Sequence, residues 1–121
     1  MEKTFTVLEP HLASYPDPIV LRLGDCVRFK GRDEFWDGAR WLWVIAADGR
    51  EGWVPDDLLD MTGPSPVAKA DYSAAELTCA QGEVLSGLDQ THGWVWCRNG
   101  QGRQGWVPSR NLGPGGKIPL G

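Results

Sequence analysis

Cysteine, histidine and tyrosine are scarce in this sequence, and no apolar run is long. The three cysteines, Cys26, Cys79 and Cys97, are odd in number and include no Cys-x-x-Cys pair. That excludes a self-contained disulfide framework and leaves free thiols as the expectation. Only two histidines stand beside them, so no residue set has metal-ligand spacing and no metal is expected. No window approaches the ~18 apolar residues of a membrane-spanning helix. The first sixteen residues, MEKTFTVLEPHLASYP, lack a long apolar core and a small-residue cleavage site, so no secretory signal and a cytoplasmic location are expected. Positive charge is not in excess: 12 Lys and Arg face 16 Asp and Glu, a net charge of −4. Phosphate binding needs a basic footprint, so nucleic acid and anionic membrane are disfavoured as partners. Sustained helical periodicity is missing as well. No Ser/His/Asp or Cys/His arrangement, acid/base carboxylate pair or phosphate-cradling glycine loop can be read. An enzyme is therefore not expected, nor is a cofactor.

What the sequence does contain is seven tryptophans, 16 glycines and nine prolines in 121 residues. They are organised by a repeat. Trp41-Leu42-Trp43-Val44 corresponds to Trp94-Val95-Trp96-Cys97, and Asp48–Pro55 to Gln101–Pro108, at a constant offset of 53 residues. Eight of the fifteen positions from Trp41 to Pro55 are identical in the second copy, among them Trp53/Trp106, Gly52/Gly105 and Pro55/Pro108. Upstream, Leu23-Gly24-Asp25 corresponds to Gln81-Gly82-Glu83 at an offset of 58. The first copy thus carries about five extra residues within Gly31–Arg40.

Short β-rich runs separated by turn residues fill both copies. Strands are predicted over Cys26–Lys30, Trp41–Ala46 and Gly52–Pro55, and over Glu83–Leu88, Gly93–Arg98 and Gly105–Pro108. Hairpin turns fall at Ala47–Arg50 and Asn99–Gly102, where glycine supplies positive φ. Asp57–Leu59 and Arg110–Leu112 are predicted as single 3₁₀ turns. The stretch Asp60–Pro66, with two prolines and a glycine, reads as a short stiff connector between domains. The expected fold is all-β: two small barrels in tandem, residues 1–61 and 66–113, with 114–121 as a disordered tail.

Particular motifs give these copies a family likeness. In the second copy, Ala68-Lys69-Ala70-Asp71-Tyr72 resembles the Ala-Leu-Tyr-Asp-Tyr opening of Src-homology 3 (SH3) domains. Glu76–Glu83 resembles the end of their RT loop, Gly93–Trp96 their Trp-Trp strand start, and Gly105–Leu112 their Gly-aromatic-hydrophobic-Pro ending. In the first copy, Val7–His11 occupies the opening, Pro18–Asp25 the end of the RT loop, and Gly52–Pro55 the ending. The likeness covers about residues 5–60 and 66–112. It extends to the tandem SH3-like proteins of bacteria.

The resemblance implies a peptide-binding face built on aromatic residues, with an acidic RT-loop residue pairing with a ligand arginine. Carried over residue by residue, the second copy supplies Tyr72, Glu76, Trp94 and Pro108, while Ala70 and Asn111 stand where ridge tyrosines would be. The first copy supplies Asp17, Trp41 and Pro55, with His11, Glu9 and Leu58 replacing tyrosines.

Strand alternation adds an argument from the residues themselves. Trp41 and Trp43 share one face and Leu42 and Val44 the other; Trp94 and Trp96 likewise oppose Val95 and Cys97. Aliphatic and small residues suit the core, so the tryptophans are expected outside, joined across the hairpin by Trp53 and Trp106, with Trp36 nearby. The expected function is a non-catalytic protein- or peptide-binding module, monomeric or weakly self-associating. The alternatives are a cell-wall or glycan-binding module, and a rigid tandem whose tryptophan faces bury each other.

Overall fold

The computed structural model describes residues 3–14, 17–36 and 38–115. In chain order its first strands are β1 (Lys3–Val7), β2 (Val20–Leu21), β3 (Val27–Trp36), β4 (Ala39–Ala46), β5 (Glu51–Pro55) and β6 (Leu59–Asp60). There follow β7 (Val67–Ala68), β8 (Tyr72–Ser73), β9 (Val84–Thr91), β10 (Trp94–Arg98), β11 (Gln104–Pro108) and β12 (Leu112–Pro114). Single 3₁₀ turns at Asp56–Leu58 and Ser109–Asn111 follow Pro55 and Pro108. No α-helix is present among the described residues, so the fold is all-β.

The strands arise where apolar residues alternate. Leu42, Val44 and Val54 are at most 2 % exposed, while Trp43 and Trp53 between them stay half-buried. Val95, Cys97 and Val107 repeat the pattern in the second copy. All three cysteines are free thiols, with Cys79 and Cys97 in a core and Cys26 exposed. Burial pushes the Cys97 thiol up to about 11, as a small apolar core residue requires. The segment 31–36, which holds extra residues of the first copy and in which no strand is predicted, extends β3 into an arm paired with β4 up to Trp36↔Ala39, beyond a register break between Phe29 and Asp33.

The chain divides into two compact units, and the division does not follow the two sequence copies. A continuous unit comprises residues 15–75; a split unit comprises residues 1–14 and 76–121. The split unit holds one five-stranded sheet, ordered β11-β10-β9-β1-β12. The continuous unit holds the three-stranded sheet β3-β4-β5 and the two-stranded ladders β2-β8 and β6-β7. None of these sheets closes on itself.

The two opening segments have therefore changed places. β1, the opening of the first copy, pairs with β9 and β12 of the second (Phe5↔Leu85, Thr6↔Gly113). β7, the opening of the second copy, pairs with β6 of the first (Leu59↔Ala68). The hydrogen bonds are equivalent in the two places. Ala68 N–H donates to the Asp25 carbonyl at 2.9 Å and Gly24 N–H to that of Ala68 at 2.8 Å. Val7 N–H donates to the Glu83 carbonyl and Gly82 N–H to that of Val7, each at 2.8 Å. Lys69 N–H bonds the Leu58 carbonyl at 2.8 Å, as Leu8 N–H bonds that of Asn111 at 2.7 Å.

The boundaries 1–61 and 66–113 thus differ from the compact units. The supposed connector Asp60–Pro66 is the tip of the β6–β7 hairpin, its Asp60 carboxylate accepting from Thr62 N–H at 3.0 Å and from Thr62 Oγ1 at 2.6 Å. Proline and glycine mark a tight reversal as readily as a linker, and a reversal closes a short loop at low entropic cost. Of the expected tail, Pro114 is paired with Phe5 in β12, and 116–121 lie outside the described residues.

Two repeat-equivalent glycines let the segments around Ile19 and Leu77 approach their sheets closely. A Cβ on Gly105 would stand 2.6 Å from the backbone of Glu76 and Leu77, where Leu77 N–H donates to the Trp106 carbonyl at 3.0 Å. A Cβ on Gly52 would meet the Ile19 side chain at 2.8 Å instead. Backbone cannot yield as a side chain can. Gly105→Ala is expected to lower stability by about 2–3 kcal/mol and Gly52→Ala by about 1 kcal/mol. Denaturant unfolding of the two variants checks this, and equal losses would contradict it. The partition also has a consequence for fragments. Residues 15–75 hold the whole core cluster from Ile19 to Ala68, whereas 1–61 lacks Ala68 and the packing residues Tyr72 and Ala74. Fragment 15–75 is expected to unfold cooperatively and fragment 1–61 not to; the reverse outcome, read by thermal circular dichroism, would refute the exchange.

Candidate ligand-binding site

In the continuous unit, tryptophans from three strands meet on one sheet face. Trp43 and Trp53 are directly opposite in the β4–β5 register and pack edge to face, centroids 5.1 Å apart at 76°. The Trp43 indole N–H donates to Glu51 Oε1 at 2.9 Å. The β3 arm brings Trp36 over this face, 4.8 Å from Trp53 and 5.5 Å from Trp41. It also brings Arg32, whose guanidinium lies 4.6 Å from the Trp43 ring and 5.0 Å from Trp53. Trp41, opposite Pro55, is on this face but only 5 % exposed. The expectation of an outward-facing Trp41 is corrected here: the extra residues of the first copy supply Trp36, which packs against it.

The split unit repeats the pair without the arm. Trp96 and Trp106 are opposite in register, centroids 5.1 Å apart at 73°, and the Trp96 indole N–H donates to Gln104 Oε1 at 2.9 Å. The indole acceptors Glu51 and Gln104 were not singled out from sequence, although each precedes the repeat glycine and so occupies the same register position. Trp106 is 9 % exposed, against the expected outward position, and Glu76 bridges to it in parallel fashion. Trp94 pairs with the buried Pro108, as Trp41 does with Pro55, but remains half-buried rather than covered.

Around Trp94 the exchange of openings decides the neighbours. His11, expected beside Trp41, meets Trp94 edge-on at 5.7 Å and 77°. Its Nε2 lies 2.7 Å from Glu76 Oε1, with both side chains nearly buried. Ser14 Oγ is 3.4 Å from the same oxygen. Tyr72, expected beside Trp94, lies in the continuous unit, where its hydroxyl donates to the Trp53 carbonyl at 3.1 Å and its ring packs on the core. Asp17 is exposed and pairs with Arg50 Nε at 3.3 Å. The structure therefore assembles His11, Glu76, Trp94 and Pro108 in one unit, and Asp17, Trp41, Pro55 and Tyr72 in the other. Sequence spacing could not show the His11–Glu76 contact, which joins residues 65 positions apart.

Comparison with known proteins agrees with this arrangement of short strands and aromatic residues. Residues 64–114 match the family model of the variant SH3 domain. Over 76 residues the chain is 38 % identical to epidermal growth factor receptor kinase substrate 8-like protein 3 of Mus musculus. That alignment covers 54 % of the chain and 12 % of the mouse protein, so the chain spans a small part of its relative. No solved structure matches. The matched stretch runs across the unit boundary at residues 75/76, so a segment continuous in family sequence is divided between two compact units here.

Proposed function

We propose that the chain is a non-catalytic interaction module of two SH3-like barrels with exchanged opening strands, and that it binds a peptide or protein segment at Trp94 in the split unit. The observation that carries this reading is the unequal exposure of two repeat-equivalent tryptophans. Trp94 and Trp41 each pair with the proline of the following strand, yet Trp41 is 5 % exposed with Trp36 packed against it, while Trp94 is half-buried. An indole partly open beside a proline and a polar side-chain pair is the kind of surface that grips extended peptides. The match of 64–114 to the variant SH3 domain supports the same class, as does a relative whose matching segment is small beside its full length. On this reading the tryptophan face of the continuous unit is structural, held by Trp36 and Arg32.

A displayed library of proline-containing and unbiased peptides, selected on the intact chain, tests the reading. Trp94→Ala is expected to weaken the selected peptides at least about tenfold with an unchanged circular dichroism spectrum. Trp41→Ala is expected to lower the melting temperature instead, since that indole is buried. Full binding by Trp94→Ala would remove the proposed face.

A further inference from the structure

The neighbourhood of Trp94 has the composition of a cation site, and its cation position is filled from within. A carboxylate next to an indole is suited to a guanidinium, which hydrogen-bonds the one and packs on the other. His11 makes both contacts: Nε2 to Glu76 Oε1 at 2.7 Å, and the ring edge-on to Trp94 at 5.7 Å. We infer that His11 is an internal occupant of the site formed by Glu76 and Trp94, and that it sets ligand choice by masking Glu76 from arginine-bearing peptides. This rests on the proposal that the face binds peptides.

Several features make the occupation a fixed part of the fold. His11 and Cys79 exchange both backbone hydrogen bonds, at 3.0 and 2.9 Å. Ala13 N–H donates to Thr78 Oγ1 at 3.1 Å, and Ser14 Oγ reaches the same Glu76 oxygen at 3.4 Å. The side chains of His11 and Glu76 are 14 % and 12 % exposed, so an incoming guanidinium must displace the imidazole to reach the carboxylate. The pair also depends on the exchange of openings, because His11 arrives from residues 1–14 and Glu76 from the other segment of the split unit. At the repeat-equivalent position, 58 residues upstream of Glu76, stands Pro18, which has no carboxylate to mask. The acid beside it, Asp17, is met by Arg50 at 3.3 Å.

The test uses one proline-rich peptide carrying a single arginine and its twin with citrulline, which keeps the shape and removes the charge. Binding is followed through the Trp94 indole N–H signal of the intact chain. Wild type is expected to bind the twins within about twofold of each other, whereas His11→Ala favours arginine by about tenfold or more, as a charge-assisted bond gives. The double variant His11→Ala with Glu76→Gln is expected to return to near equality. Should His11→Ala not fold, Glu76→Gln alone decides through the ratio of the two peptides: with the acid masked the arginine-to-citrulline preference stays as in wild type whatever the absolute affinity, and a tenfold loss of that preference overturns the masking. Equal binding of both peptides by a folded His11→Ala overturns the masking and leaves the peptide-binding face standing. Failure of every variant to bind either peptide removes both.

Discussion

The β6–β7 hairpin is the constraint from which the remaining architecture follows. Leu59 faces Ala68 and Asp60 faces Val67 across a loop of six residues, with Thr62 donating twice to Asp60. Closing so short a loop costs little entropy. Ala68 enters the core of the continuous unit at 1 % exposure, and Tyr72 reaches the Trp53 carbonyl. Once β7 is committed to the preceding copy, the second copy has no opening strand of its own. β1 fills that vacancy, with Val7 at 1 % exposure among Leu77, Leu85 and Val107. Each opening strand thus pairs with later strands of the other sequence copy.

The exchange is what composes the candidate site. Without it, His11 would stand near Trp41, and the Glu76–Trp94 neighbourhood would receive Tyr72. With it, the split unit has an imidazole on its acid, and the continuous unit has a tyrosine that is consumed by packing. The five extra residues of the first copy act in the same direction. They lengthen β3 into an arm that lays Trp36 and Arg32 over the tryptophan face, so two repeats with the same Trp–Trp pair and the same indole hydrogen bond differ in what they leave open.

Much of the local structure was legible from sequence. Period-two alternation placed Leu42, Val44, Val95 and Cys97 inside, and the repeat located Gly52 and Gly105 where close approach is required. The unit boundaries were not legible, because Val7 and Ala68 are both small apolar residues that suit equivalent backbone partners in the two copies, and alternation says nothing about which sheet a strand joins. The burial of Trp41 was hidden for a related reason. Its cover comes from an arm whose charged residues, Arg32, Asp33 and Glu34, read as a loop. Those charges are accommodated because the arm is an exposed hairpin, with Asp33 and Arg40 paired at 2.8 Å.

Backbone proximity across β1 and β7 tests the exchange of openings. Nuclear Overhauser contacts in the intact chain should link Thr6 with Gly113 and Phe5 with Leu85, and Ala68 with Leu59, following the observed registers. Contacts tying residues 3–7 to Leu59–Asp60, and Val67–Ala68 to Leu112–Pro114, would show that each copy keeps its own opening strand and would contradict the account.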